Sequence, residues 1–471
     1  MPARILSALT LVLICASLSL AQTTASDYYS RAMSKMATRD FDGAIDDLTK
    51  AIALNYPSPG DAYFVRGVAK TRKMDLNGAW DDATESIRLL DNAAASYSLR
   101  GEIEYTRNEL DGAIVEFSKA IKADPKNFRP FRERAMARKE SGDLHGAITD
   151  LTQAIELMPS HENYSERGSV YLEKGDKKLA FSDFDKAVQI APQNPGVYFD
   201  RAYAYFNVEN YVLAAADLRH AVAINPNNRD AHHLLGHVFT ETGDTVLAAS
   251  EFTKAIELAP KVAHYYVDRA VTKSRDGDYQ KAIGDISKAI ELDPKDSANF
   301  RMRAWTNLYL GNYEAVYTDA AIALKLSGLK DHGSYSVLSG YIALQKTGKA
   351  EGASTFLNNW MKAADQSTWP TSIMRYLGGQ LTSTELLNAA TDTGDLTEAY
   401  TFMGEMALIN GEVSTAKTHF QWVRDNGIKT SVQYPLAVTE LKKLSAHTGF
   451  TLHTFEGPMS SAPSNFVKKA H

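Results

Sequence analysis

Residues 266–294 read YVDRAVTKSRDGDYQKAIGDISKAIELDP. The first part, around Tyr266–Ser274, reads as a short amphipathic helix that breaks at Asp276-Gly277-Asp278. The second carries Ala282, Ile286 and Ala289 at helical spacing and ends at Asp293-Pro294, because proline lacks the N–H and clashes with the preceding turn. The pattern recurs every 34 residues. In phase with Ala282 stand Ala44, Ala79, Ala113, Ala147, Ala180, Ala214 and Ala248, and the closing proline recurs at Pro125, Pro159, Pro192, Pro226, Pro260 and Pro294. A small residue eight positions into each unit gives Ala32, Gly67, Gly101, Ala135, Gly168, Ala202, Gly236, Ala270 and Ala304.

Nine units fit between residues 25 and 330. The first two lack the proline, the ninth has Val316 and Gly328 in the alanine and proline positions, and the unit ending near His161 is one residue short. A single helix pair cannot bury its apolar stripe alone, so the pairs must stack on their neighbours. The alanines allow close approach, and Phe117, Phe184 and Phe252, four positions on, fill the space between pairs.

This combination of a small residue, A-x3-[FYL]-x2-A and a closing proline resembles the tetratricopeptide repeat (TPR). The resemblance implies an all-α TPR solenoid, a right-handed superhelix of helix-turn-helix pairs whose concave face is lined by the first helix of each pair. Arginine precedes the small residue in eight units, at Arg31, Arg66, Arg100, Arg134, Arg167, Arg201, Arg269 and Arg303, each with Tyr or Phe three positions earlier. Sixteen residues after each stands an acid: Asp47, Asp82, Glu116, Asp150, Asp183, Asp217, Asp285 and Asp319. The fixed spacing predicts an Arg–carboxylate pair between the two helices rather than a row of charges offered to a ligand. The seventh unit keeps Glu251 but has Leu235 for arginine, so its acid must be exposed or paired elsewhere.

The 471 residues carry a formal net charge of −6, and the dispersed basic residues argue against nucleic acid as a partner. Cys15 is the single cysteine, which excludes a disulfide framework or cysteine-based zinc site in the rest of the chain. It sits in residues 1–21, where Arg4, an apolar run from Ile5 to Leu20 and Ser19-Leu20-Ala21 read as a signal peptide cut before Gln22. The expected localisation is periplasmic or secreted. Ile14 before Cys15 speaks against a lipid anchor, and the apolar run is slightly short for a retained membrane anchor. From residue 446 the chain turns polar and rich in small residues, and residues 446–471 are expected to be disordered.

Residues 331–445 read as a divergent TPR-like helical region. Ser334–Ala364 is a degraded pair with Gly348 as its turn and Ala353 in the alanine position; Glu398–Gly427 resumes the pattern with Gly404, Gly411, Ala416 and Phe420; Val432–Leu444 is a capping helix. Trp369, Ile373, Tyr376, Gly379, Leu381 and Thr382, with Val432, Ala437, Glu440 and Leu441 further on, resemble the bacterial lipoprotein NlpI family over roughly 75 residues. That resemblance implies an adaptor of the cell envelope, of a class that docks proteases and peptidoglycan hydrolases. A scaffold for polysaccharide or outer-membrane assembly, with glycan or membrane contacts, is the alternative. The oligomeric state is open.

Helix positions 5, 9 and 12, which family analogy places on the concave face, give Phe199, Tyr203, Phe206, His233, His237, Arg301 and Trp305 as partner-binding candidates. The same residues could also be core, or fill the groove. His233 and His237 are four apart and share a helix face on which they could ligate one metal, but no carboxylate or cysteine completes an obvious site, so they are read as surface or groove histidines with no metal. There is no Gly-rich phosphate loop, GxSxG or Cys/His nucleophile pattern, so neither catalytic residues nor a cofactor is expected.

Overall fold

The computed structural model describes residues 23–446. The leader expected at 1–21 lies outside the described residues, as does the expected tail except Ala446, which closes the last helix. The described residues form 25 α-helices and no strand. None of the described helices is long and apolar enough to cross a membrane. The chain divides into two units, residues 1–204 and 205–471, with the division inside the helix Pro195–Asn207.

Helix pairs follow one another from Ala25–Ala37 with Phe41–Ala53 to Ser297–Leu310 with Tyr313–Ser327. The turn inside a pair uses one residue in the left-handed region, either glycine (Gly142, Gly175, Gly243, Gly277, Gly311) or a side chain that tolerates it at a cost (Arg39, Met74, Asn108, Glu209). The next helix then starts on an Asp or Asn cap: Asp40, Asp75, Asp143, Asn210, Asp244 and Asp278 each accept from a backbone N–H three residues on. All eight alanines of the repeat phase are fully buried, and so are Val316, Ala353 and Ala416 in the equivalent places. At Gly101, Gly236 and Gly404 a Cβ would stand 2.4–2.6 Å from the ring of Phe117, Phe252 or Phe420, so the phenylalanine packs directly on the backbone of the facing helix.

In seven repeats the arginine–acid pair forms as the spacing predicts. Arg66, Arg134, Arg167, Arg269 and Arg303 each grip their aspartate with two bonds of 2.6–2.9 Å, and Arg31 holds Asp47 the same way. Where glutamate replaces aspartate the fork is lost: Arg100 makes one bond of 3.1 Å to Glu116. Aromatic rings three residues earlier lie 4.9–5.9 Å under the guanidinium at Tyr28, Tyr63, Phe131, Tyr164, Tyr266 and Phe300. The remaining guanidinium nitrogen reaches back to the previous repeat, to Thr49, Ser118, Thr152, Thr253 and Ser287 at 2.8–3.1 Å, and Arg201 likewise bonds Asp185 at 2.6 Å. Each of these arginines therefore ties its own helix to the preceding repeat. In the seventh repeat Glu251 takes His232 instead, Nδ1 to Oε2 at 2.6 Å.

After Gly328 come the helices Gly333–Lys346, Ala350–Met361, Trp369–Leu377, Ser383–Ala389, Thr393–Ile409, Val413–Asn426 and Gln433–Ala446, of which the first and the last pack on Ser297–Leu310. Trp305 meets Phe402 edge-on at 6.3 Å, and the Tyr309 hydroxyl donates to the Val432 carbonyl at 2.7 Å. Ile373 is core, Gly379 turns with a φ of +73°, and Thr382 forms a capping box with Glu385, so these three signature residues serve packing and turns.

Candidate functional site

The helix Arg229–Thr242 displays His233 and His237 on one face, one turn apart. Asp268, on the first helix of the next repeat, faces both: His233 Nε2 lies 2.7 Å and His237 Nε2 3.5 Å from its Oδ2. His264 and Tyr265 complete the patch, with ring centroids 5.2 and 4.5 Å from that of His233. Burial lowers the pKa of His264, and the neighbouring His233 adds to the effect.

The other candidates fare differently. Tyr203 is 45% exposed, and Phe199 is half-buried. Half-buried Phe206 leans edge-on against Tyr211 at 5.6 Å. One guanidinium nitrogen of Arg301 is buried without a hydrogen-bond partner, and burial lowers the pKa of the group despite nearby Asp296 and Asp331. Trp305 is 4% exposed inside the largest apolar cluster. Its place on an accessible concave surface is corrected: the returning C-terminal helices cover it.

The first unit adds a row that candidate selection by aromatic character missed. Glu133, Glu166 and Asp200 each stand one residue before the repeating arginine, on three successive first helices. Burial pushes Glu133 up to about 7, with Glu102 adding repulsion, and pushes Glu166 up to about 7, with Glu162 and Asp200 adding theirs. Burial also raises Asp200. Arg132 lies 3.8 Å from one Glu166 oxygen, but Glu133 Oε2 and Glu166 Oε2 have no hydrogen-bond partner. Asp268 occupies the same phase, one residue before Arg269, so the signal was present in the repeat alignment.

Stacked helix pairs with this packing define an all-α solenoid. The repeats are tetratricopeptide repeats: a model with that description matches residues 29–88, 132–195 and 199–263, and a second so described matches 263–296. Residues 94–123, which neither model matches, carry the same Gly101–Phe117 contact. Among solved structures, the chain is similar to YrrB, described as a TPR protein with an unusual peptide-binding site, at 26% identity over 38% of this chain and 92% of that one, with a TM-score of 0.31. It is also similar to the C-terminal part of a TPR repeat-containing protein from Cytophaga hutchinsonii, at 19% identity over 50% and 97%, TM-score 0.41. A third is yeast Tom70, at 16% identity over 86% and 93%, TM-score 0.40. No curated protein sequence matches.

Proposed function

We propose that this chain is an exported scaffold of the bacterial cell envelope that captures protein or peptide segments bearing lysine or arginine. The observation that carries the reading is the row Glu133, Glu166 and Asp200: burial raises the pKa of all three, Glu102 repels Glu133, Glu162 and Asp200 repel Glu166, and one oxygen each of Glu133 and Glu166 lacks a hydrogen-bond partner. A cationic side chain laid along these helices would relieve the repulsion and return hydrogen bonds to the open oxygens. The residues before Gln22 support export, and the resemblance of Trp369–Thr382 to the NlpI family supports an envelope adaptor that docks proteases or peptidoglycan hydrolases. The exposed ring of Tyr203, three residues after Asp200, favours a second reading, because an aromatic beside a carboxylate also suits sugar rings in polysaccharide assembly.

The test is binding of lysine/arginine-containing, neutral and acidic peptide pools, and of purified peptidoglycan, to the chain and to Glu133→Gln/Glu166→Gln. Salt-sensitive capture of the basic pool alone, lost in the variant, is expected. Equal capture of all three pools overturns the charge reading, and retention on peptidoglycan alone favours the glycan one. N-terminal sequencing of protein from an envelope fraction should begin at or near Gln22; intact Met1 in cytoplasmic material overturns export.

A further inference from the structure

The seventh repeat departs from the array's own rule. Leu235 replaces the arginine, His232 takes over Glu251, and the same helix holds two more histidines, His233 and His237. Their Nε2 atoms stand 3.2 Å apart, and Asp268 Oδ2 lies 2.7 Å from the first and 3.5 Å from the second. Three lone-pair-bearing atoms thus converge, each able to offer one bond to a common centre. Ligands bound about 2.0–2.1 Å from a tetrahedral zinc stand about 3.3 Å from one another. The observed triangle brackets that spacing, so a point about 2 Å from all three atoms exists with almost no rearrangement. We propose that His233, His237 and Asp268 form a binding site for a divalent transition-metal cation of the zinc type, with its fourth position open.

The donor set fits the class. Two imidazoles and one carboxylate suit zinc and its neighbours, whereas calcium and magnesium call for oxygen ligands. The scaffold is preorganised, since both histidines rise from one helix and Asp268 from the adjoining first helix. The Phe252 ring backs both imidazoles, at 5.7 and 5.2 Å between centroids. Tyr265 packs on His233 and its hydroxyl donates to Asp230 at 3.3 Å. The three ligand side chains are 21–25% exposed, so a cation can enter without the repeat opening. Without metal, the same polar contacts serve as a clasp between the seventh and eighth repeats.

Calorimetric titration of the chelator-stripped full chain, free of any histidine tag, with zinc chloride at pH 7.5 separates the two. One zinc should bind with a dissociation constant in the micromolar range or below and raise the melting temperature. Cobalt(II) should give the strong visible bands of four-coordinate geometry. Asp268→Asn, nearly isosteric, and His237→Gln should each weaken zinc by about 100-fold with helicity unchanged in circular dichroism. If zinc fails to bind, or binds the variants as it does the parent chain, the metal site is overturned. The clasp reading then requires Asp268→Asn to lower the melting temperature with no metal dependence.

Discussion

The first unit and the C-terminal half of the second solve the same burial problem in opposite ways. In the first, apolar side chains gather in separate small clusters, such as the four buried residues Ala135, Ala147, Leu151 and Val170. Around residues 304–436 a single cluster takes 23 buried residues from non-adjacent helices. The small clusters need only the next repeat, which leaves the face of the first helices free to carry half-buried acids. The large cluster spends that face as core: Trp305 and Tyr309 sit on the equivalent helix, under Phe402 and Val432. Ligand capture is therefore sought where the array remains local.

The largest expected effect tests this difference directly. Phe402→Ala empties the centre of the large cluster and should cost about 3–5 kcal/mol. Denaturant unfolding followed by tryptophan fluorescence would record it, and hydrogen exchange should lose protection throughout 297–446. Leu151→Ala, in a cluster of four, should cost about 2–3 kcal/mol and loosen only the helices from 128 to 174. Loss of protection confined to the helix Thr393–Ile409 in Phe402→Ala would show that the large cluster is not one cooperative body.

Within the array the buried acids give the next contrast. Asp183 is 5% exposed and is paired with Arg167, whereas Asp150 is held by both Arg134 and Arg138. Arg167→Ala should cost about 3 kcal/mol because it strands a buried charge, and Arg134→Ala about half of that. Equal losses in thermal unfolding would mean that the arginine's bond to the preceding repeat, not the acid, carries the energy.

These pairs were legible in the sequence because they repeat. A spacing of 16 residues that recurs eight times leaves one geometric answer, and the substitution at Leu235 marked where Glu251 would look elsewhere. The fold-back was not legible. Tyr309 and Val432 are 123 residues apart, and no period links them, so Trp305 looked like an inner-face aromatic although it is core. Asp268 escaped for another reason. In the sequence His233 and His237 mark a single helix, while stacking brings residue 233 beside residue 268, one period and one position away.

The Glu251 pair also sets a smaller, pH-dependent effect. The bond to Glu251 raises the pKa of His232 above its ordinary 6.5, against burial. The contribution is complete below that ordinary value and is lost as pH rises through the raised folded value. His232→Gln should remove about 1 kcal/mol at pH 6 and less at pH 8, flattening the profile of melting temperature against pH.

The smallest effect on stability sharpens the comparison most. Glu133 and Glu166 have folded pKa values of about 7 against an ordinary 4.5, so the folded chain holds protons that the unfolded chain releases between those values. Their contribution is complete below pH 4.5 and is lost as pH rises to 7, leaving repulsion between ionised carboxylates above it. Glu133→Gln and Glu166→Gln should therefore stabilise the chain at pH 8, each by about 1 kcal/mol or less once solvent screening is allowed for. The same variants should weaken capture of basic peptides, and the parent chain should bind them better at pH 8 than at pH 6. A gain in stability with a loss of binding is the signature of a surface kept strained for a partner. A loss of stability instead would make the row part of the solenoid's own electrostatic framework, like the arginine pairs beside it.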